Sequence, residues 1–260
     1  MDTFVEADIR NSVGIIPARL ESTRLPRKLL LDLEGKPVLQ WTIEGASSSR
    51  YLRRILVATD SQEIADFCVS IGVDFVLTPN TFTSGTERVF WAYKNLGEKF
   101  DYVVNIQGDE PFIKGSTIDA LLRETFRHNA NISTIIARIN NQDELFATST
   151  VKVVVGLDNF ALYFSRNVIP YVRDYPQNEW LSRTTFFKHI GIYCFADKII
   201  DIIASMKTEK LEEAEKLEQL RWLENGERIY CHKDDSHFVG IDTPEDLSLA
   251  RKYISQMLSR

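Results

Sequence analysis

From Val13 onward, short β-branched runs alternate with stretches whose apolar residues recur at helical spacing. Val13-Gly14-Ile15-Ile16 predicts a strand, followed by a polar loop to Lys28 and a helix from about Pro37 to Ser49. Ile55 to Ala58 predicts a second strand. The next helix runs from Ser61 to Ile71, with Ser61 as N-cap and Ile64, Ala65, Cys68 and Val69 on one face. Val73 to Leu77, Thr86 to Leu96, Tyr102 to Ile106 and Ser116 to His128 then read as strand, helix, strand and helix. Continuous apolar strands between helices are what a parallel sheet covered on both faces requires.

After Ile132 the rhythm changes. Ile132 to Ile139, Val151 to Leu157 and Phe160 to Phe164 are strand-like with short connections, and Asp158-Asn159 predicts a tight turn between the last two. A strand over Phe187 to Phe195 precedes helices near Asp197 to Ala204 and Leu211 to Asn225. The second of these is marked by Leu211, Ala214, Leu217, Leu220 and Leu223 and stopped by Asn225-Gly226. A strand at Ile229 to Cys231 and a final helix from Pro244, capped by Thr243, complete the pattern. With no obvious linker, one mixed α/β domain over residues 13–260 is expected, preceded by a loose extension over residues 1–12.

The chain has 260 residues, enough for a substantial core, and 31 Lys and Arg against 37 Asp and Glu give a net charge of −6. That acidity argues against broad duplex-DNA binding, yet a local cationic cluster on such a surface still suits a small anion. Cys68, Cys194 and Cys231 lie far apart without metal-ligand spacing, which predicts inert thiols in a reducing compartment. No leader-like start and no run long enough to span a membrane is seen, so a cytoplasmic location is expected.

Chemistry concentrates in three places. The loop after the first strand carries Arg19, Arg24, Arg27 and Lys28 with hydroxyls at Ser22 and Thr23, at the carboxyl end where open α/β sheets place ligands. Guanidinium forks and a lysine point charge suit phosphate oxygens, although a solvated basic loop has the same composition. It is not a Walker A loop, because the glycines and the Gly-Lys-Ser/Thr ending are missing. After the fourth strand comes Asn105-Ile106-Gln107-Gly108-Asp109-Glu110-Pro111, in which Asp109 is either a Mg²⁺ ligand or a turn cap. Asp242 ends another apolar stretch, and two carboxylates from distant positions suffice to share one hard cation with phosphate oxygens and water.

At these residues the chain resembles the 3-deoxy-manno-octulosonate cytidylyltransferases, the CMP-Kdo synthetases. The shared features, in order, are Pro17-Ala18-Arg19 with Ser22-Thr23-Arg24-Leu25-Pro26 and Lys28, Ala58-Thr59-Asp60, Ser84-Gly85-Thr86-Glu87-Arg88, the Gln107 to Pro111 loop and Asp242-Thr243-Pro244-Glu245-Asp246-Leu247. Tyr163 to Arg166 with Ile169-Pro170, His189 to Tyr193 and Leu217 to Arg221 extend the match over nearly everything from Val13. Any one motif is weak; the ordered set is specific.

The resemblance implies a Rossmann-like nucleotidyltransferase fold: a mixed, mostly parallel sheet with helices on both faces. A β-rich insertion around residues 150–195 would serve dimerisation and the sugar side. It implies a Mg²⁺-dependent homodimer that couples CTP to 3-deoxy-D-manno-octulosonate (Kdo), giving CMP-Kdo and pyrophosphate for lipopolysaccharide synthesis. Arg19 and Lys28 would hold the triphosphate, helped by Ser22 and Arg24, and Asp109 and Asp242 would hold the metal. Thr59, Asp60, Ser84, Gly85, Thr86, Arg88 and Gln107 fall on the nucleoside side. Arg166, His189, Tyr193, Glu218 and Gln219 fall on the sugar-acid side.

Alternatives stay open for several of these. Thr59 and Asp60 suit capping of the Ser61 helix, Glu87 suits its own helix's first turn, and His189 and Tyr193 suit a core. Glu218 suits a solvated face, and Phe90, Trp91, Trp222 and Leu223 read as packing residues. Arg27 stands where the family usually has Gly, and residues 232–238 replace a Pro-Gly turn. An 8-amino-Kdo or a sialic acid fits the same chemistry, and a non-catalytic nucleotide-binding protein is the reading from another class.

Overall fold

The computed structural model describes residues 11–22, 24–236 and 238–258, and the chain folds as two compact units. One comprises the described residues up to Leu122 together with those from 238; the other runs from Arg123 to Ser236. Most of the expected loose extension, residues 1–10, lies outside the described residues, as do Thr23 and His237. Asn11 and Ser12 are already tied in, since the Asp101 N–H donates to the Asn11 carbonyl at 2.9 Å and Ser12 opens the first strand.

In the first unit, strands β1 (Ser12–Ala18), β2 (Leu52–Thr59), β3 (Asp74–Leu77) and β4 (Tyr102–Asn105) pair in the order β4-β1-β2-β3, all parallel. β1 is flanked on both sides, which is why Val13, Ile15, Ile16 and Ala18 expose nothing. Helices α1 (Val38–Ser47), α2 (Gln62–Ser70) and α3 (Gly85–Lys94) connect or follow these strands, and α4 (Gly115–Arg127) leads out of the unit. Ser61 caps α2 as predicted, its hydroxyl accepting from the Ile64 N–H at 3.4 Å. Unforeseen is a two-residue ribbon, Asp32–Leu33 with Lys36–Pro37, turned by Glu34 and Gly35 at φ 54° and 88°. Paired positive φ values match the twist of such a ribbon.

Because all four strands run the same way, the loops leaving β1, β2 and β4 emerge at one end of the sheet. The C-terminal helix Pro244–Leu258 packs Leu247, Ala250 and Ile254 onto Leu25, Leu33, Val38 and Ile241. That cluster seats both the first loop and the segment carrying Asp242.

The second unit holds β5 (Ile132–Arg138), β6 (Lys152–Val155), β7 (Ala161–Ser165), β8 (Phe187–Ala196) and β9 (Ile229–Lys233). β9 runs parallel to β5, while β5–β8, β8–β6 and β6–β7 are antiparallel, so the pairing is mixed. Asn159, at φ 61°, makes the predicted turn between β6 and β7. Short helices α5 (Gln142–Phe146) and α6 (Trp180–Arg183) were not legible in the pattern. With Ile139 and Phe186 they form a small core through Leu145 and Trp180. α7 (Asp197–Ser205) follows β8.

One expectation is corrected. The single helix over Leu211 to Asn225 is two, α8 (Lys210–Glu215) and α9 (Glu218–Glu224), broken where Lys216 takes φ 53°. Tertiary bonds hold the break: the Glu215 carboxylate accepts from the Ser165 hydroxyl at 2.6 Å and the Arg166 N–H at 2.9 Å, and its carbonyl accepts from Arg166 Nε at 2.8 Å. Leucine periodicity carries no trace of those bonds, so the pattern ran straight through.

Candidate functional site

The loop that leaves β1 brings Lys28 back under the sheet's carboxyl end, where its side chain is mostly buried. Its Nζ donates to Asp109 and, at 2.9 Å, to Asp242 Oδ1, while Arg24 pairs with the other Asp242 oxygen at 3.0 Å. Two carboxylates far apart in sequence thus meet at one ammonium. The backbone arranges the meeting, because the Ile241 N–H donates to the Asp109 carbonyl at 3.0 Å. Asp246 then closes the next turn: its carboxylate accepts from the Asp242 and Thr243 N–H groups at 3.1 and 2.9 Å, and the Thr243 hydroxyl caps the helix as predicted.

Burial works against the charged form of Lys28, yet the two carboxylates outweigh it and raise its pKa above the ordinary lysine value. Burial likewise pushes the Asp242 carboxyl up, and Lys28 and Arg24 overcome that and hold it below the usual carboxylate range. Lys28 and Asp242 are therefore both ionised at neutral pH.

The Gln107-Gly108-Asp109 turn is pinned from below by the Thr42 hydroxyl, which donates to the Gly108 carbonyl at 3.0 Å. A Cβ at Gly108 would lie 3.3 Å from the Pro17 carbonyl oxygen and 3.4 Å from Ile16 and Leu29 carbons, so any side chain there would press tightly on the end of β1 and the first loop.

Around this centre lies a cavity of about 350 Å³ lined by Arg19, Ser22, Arg24, Lys28, Arg88, Gln107, Asp109 and Asp242, with Gly85 at its wall. A second, of about 860 Å³, adjoins Arg19, Ser22, Arg27 and Asp60. Most of the residues nominated for the triphosphate, metal and nucleoside are thus gathered in one place. Arg19 also donates to the Phe82 carbonyl. Arg27 takes φ 58°, a conformation glycine adopts freely, and its guanidinium turns to Glu63.

Other nominees have structural duties. Arg88 exposes nothing; it donates to the Asp60 carboxylate at 2.5 Å and to the Thr78 hydroxyl. Thr59 Oγ1 accepts from the Ser61 N–H at 3.1 Å, the local role weighed for it. Ser84 and Glu87 form a capping box at the start of α3, and Thr86 is buried against Asn105.

In the second unit, His189 and Tyr193 lie near each other on β8, ring centroids 5.2 Å apart, and Tyr193 meets Trp222 edge-on at 5.0 Å. The Tyr193 hydroxyl, Gln219 Nε2 and Trp222 Nε1 are buried without hydrogen-bond partners among the described residues. Buried unpaired donors are costly, so three together mark a place suited to an acceptor-rich ligand. Trp222 had read as packing alone; no sequence signal distinguishes a paired indole from an unpaired one. Glu218 accepts from Arg221 at 3.2 Å. Arg166 donates to the carbonyls of Glu215, Thr148 and Lys216 at 2.8, 3.2 and 3.4 Å. Lys152, fully buried, holds the Arg166 carbonyl at 2.8 Å together with those of Ala147 and Thr150.

Comparison with known proteins identifies the family. Residues 13–229 match the family model described as Cytidylyltransferase. A 3-deoxy-manno-octulosonate cytidylyltransferase of Parabacteroides distasonis is 40% identical over 247 residues, 94% of this chain and 98% of that protein. Its counterpart in Phocaeicola vulgatus is 43% identical over 248 residues, 94% of this chain and 97% of that one. A solved CMP:2-keto-3-deoxy-manno-octonic acid synthetase complexed with CTP superposes with a TM-score of 0.87 at 33% identity, covering 95% of this chain and 99% of that structure. The mixed, mostly parallel α/β architecture expected from sequence is the one found. With the family model matching residues 13–229 and its relatives matched almost end to end, the chain belongs to the 3-deoxy-manno-octulosonate cytidylyltransferase family.

Proposed function

We propose that the chain joins CTP to 3-deoxy-D-manno-octulosonate, giving CMP-Kdo and pyrophosphate for lipopolysaccharide synthesis, with Mg²⁺ as its cation. The observation that carries this is the convergence of Asp109 and Asp242 on the Lys28 ammonium, inside a cavity lined by Arg19 and Arg24. Two hard carboxylate oxygens directed at one positive centre fit Mg²⁺, which completes its shell with phosphate oxygens and water. Bound there, the ion would polarise the α-phosphate and offset charge on departing pyrophosphate.

The chain's own groups do the rest. Arg19, Arg24 and Lys28 neutralise and align the triphosphate, with Lys28 exchanging carboxylate for phosphate oxygens as the nucleotide enters. Gln107 and the segments at Thr59-Asp60 and Ser84 to Arg88 form the nucleoside side. Arg166, His189, Tyr193, Glu218 and Gln219 recognise the sugar acid's carboxylate and hydroxyls. The anomeric hydroxyl attacks the α-phosphorus, its bond to pyrophosphate breaks, and the hydroxyl proton passes to solvent. No protein nucleophile is needed, so alignment and charge stabilisation supply the rate. The protein works in the cytoplasm as a homodimer. Residues 150–195 make the subunit contact, a reading supported by the exposed Leu157, Leu162, Tyr171 and Tyr175 in that stretch.

The test is pyrophosphate release with each nucleoside triphosphate in turn against Kdo, 8-amino-Kdo and N-acetylneuraminate, with and without a chelator. CTP with Kdo and Mg²⁺ is expected to be the productive combination, and Asp109→Asn to abolish it while leaving the circular dichroism spectrum unchanged. Turnover at the wild-type rate by that variant would remove Asp109 from the mechanism, and unimpaired turnover in the chelator would remove the metal.

A further inference from the structure

The register between β5 and β8 slips between Ile190 and Tyr193, and at the slip the carbonyls of Ile190 and Ile192 on β8 both face one side chain of β5. Thr134 Oγ1 lies 2.7 Å from the Ile192 carbonyl oxygen, 3.2 Å from that of Ile190 and 3.0 Å from His189 Nε2. A hydroxyl owns one proton, and a carbonyl only accepts. That proton is committed to Ile192, with Ile190 sharing it at longer range, because withholding it would leave two oxygens facing each other at 2.7 Å with nothing between them. Toward His189 the threonine oxygen can then only accept, which requires the hydrogen of the imidazole to sit on Nε2.

From this we infer that Thr134 locks His189 as the neutral Nε2–H tautomer, leaving Nδ1 as a bare lone pair that accepts a hydroxyl proton from the bound ligand. The inference rests on the sugar-acid reading of this face for the ligand's identity, though not for the tautomer. The ring has no other side-chain hydrogen bond among the described residues and keeps some accessible surface. Burial favours the uncharged ring, so a second proton on Nδ1 does not compete. The adjacent Tyr193 hydroxyl, ring centroid 5.2 Å away, is a buried donor with no hydrogen-bond partner among the described residues. An acceptor beside a donor is the pattern that reads hydroxyl groups, each of which gives one proton and takes another. Thr134 is accordingly a positioning residue: it acts on the ligand through His189.

The decisive measurement is long-range ¹H–¹⁵N correlation on histidine-labelled wild-type protein, with His189 assigned by its loss in His189→Gln. His189 is expected to show a protonated Nε2 and an unprotonated Nδ1 from pH 8 down to pH 5. In Thr134→Val the tautomers should mix or reverse. KM for Kdo should then rise about tenfold, the scale of one hydrogen bond, with KM for CTP unchanged. Thr134→Ser should restore both signals. A wild-type His189 protonated on Nδ1, or on both nitrogens at neutral pH, overturns the inference, as does an unaltered KM in a Val variant whose tautomer has shifted. Should Thr134→Val fail to fold, the wild-type spectrum and the Ser variant still decide it. If wild-type protein fails to turn over Kdo, the functional reading falls while the tautomer result stands by itself.

Discussion

The guanidinium of Arg88 has no exposed surface and reaches the Asp60 carboxylate at 2.5 Å, tying α3 to the end of β2. Its Nε has no hydrogen-bond partner among the described residues, so this pair is the guanidinium's main compensation for leaving water, together with the Thr78 hydroxyl. Removing one member of such a pair leaves the other uncompensated. Arg88→Met is expected to lower unfolding free energy by about 3 kcal/mol in urea titration. A loss below about 0.5 kcal/mol, the usual size of a surface substitution, would show that the pair contributes nothing to holding the cavity wall.

Gly108→Ala tests the close approach of the Gln107–Asp109 turn to the first loop. The new methyl must displace the Pro17 carbonyl or lift the turn, and lifting it moves Asp109 away from Lys28. Overpacking of this kind costs about 1–2 kcal/mol. Turnover should fall more than stability does, by about threefold for a displacement of a few tenths of an ångström. Equal turnover in the two proteins would mean the turn tolerates displacement.

Lys152→Met keeps the length of the buried stem and removes the donor to three carbonyls. Losing charge-assisted hydrogen bonds outweighs relief of burying an ammonium, and a melting point several degrees lower is expected, corresponding to about 2 kcal/mol. Because one of those carbonyls belongs to Arg166, KM for the sugar acid should rise with KM for CTP unmoved. A variant as stable as wild type would show that water replaces the ammonium.

Acid should weaken the fold through His189. Burial pushes its pKa down from 6.5 to about 3, so below 6.5 the unfolded chain binds a proton that the folded chain refuses. Stability from this group is complete above about pH 6.5 and drains away as pH falls toward 3, with a slope of at most about 1.4 kcal/mol per pH unit. His232, also lowered by burial, acts in the same direction. Asp242, whose folded pKa is depressed, adds its own loss only as pH drops below 3.8. Thermal midpoints of wild type and His189→Gln measured from pH 7 to pH 4.5 should converge on acidification; parallel curves would sink this assignment.

Residues such as Ser61, Thr243 and Asn159 were readable because capping and turn formation are decided within a few positions of the chain. The same locality gave the strands from Val13 and Ile55, whose apolar runs admit little else. Lys216 shows where locality fails: its left-handed conformation is held by Glu215 bonds to Ser165 and Arg166, about fifty residues away, and leucine spacing does not register them. Arg88 and Asp60 carried the family pattern in sequence, yet whether a charged pair greets a ligand or each other depends on where water is excluded.

The amino-acid sequence alone determined the alternation of parallel strands and helices and the cationic loop at a strand's carboxyl end, while the choice of the two acids came from the family resemblance. The first two follow from side-chain chemistry and short-range periodicity. Only the tertiary structure decided that Asp109 and Asp242 close on the same lysine, that Arg27 turns aside to Glu63, and that the Thr134 hydroxyl meets His189 Nε2. Each of those facts is a distance between segments remote in the chain, set by how sheet register and core packing bring backbones together, and no local pattern encodes such a distance.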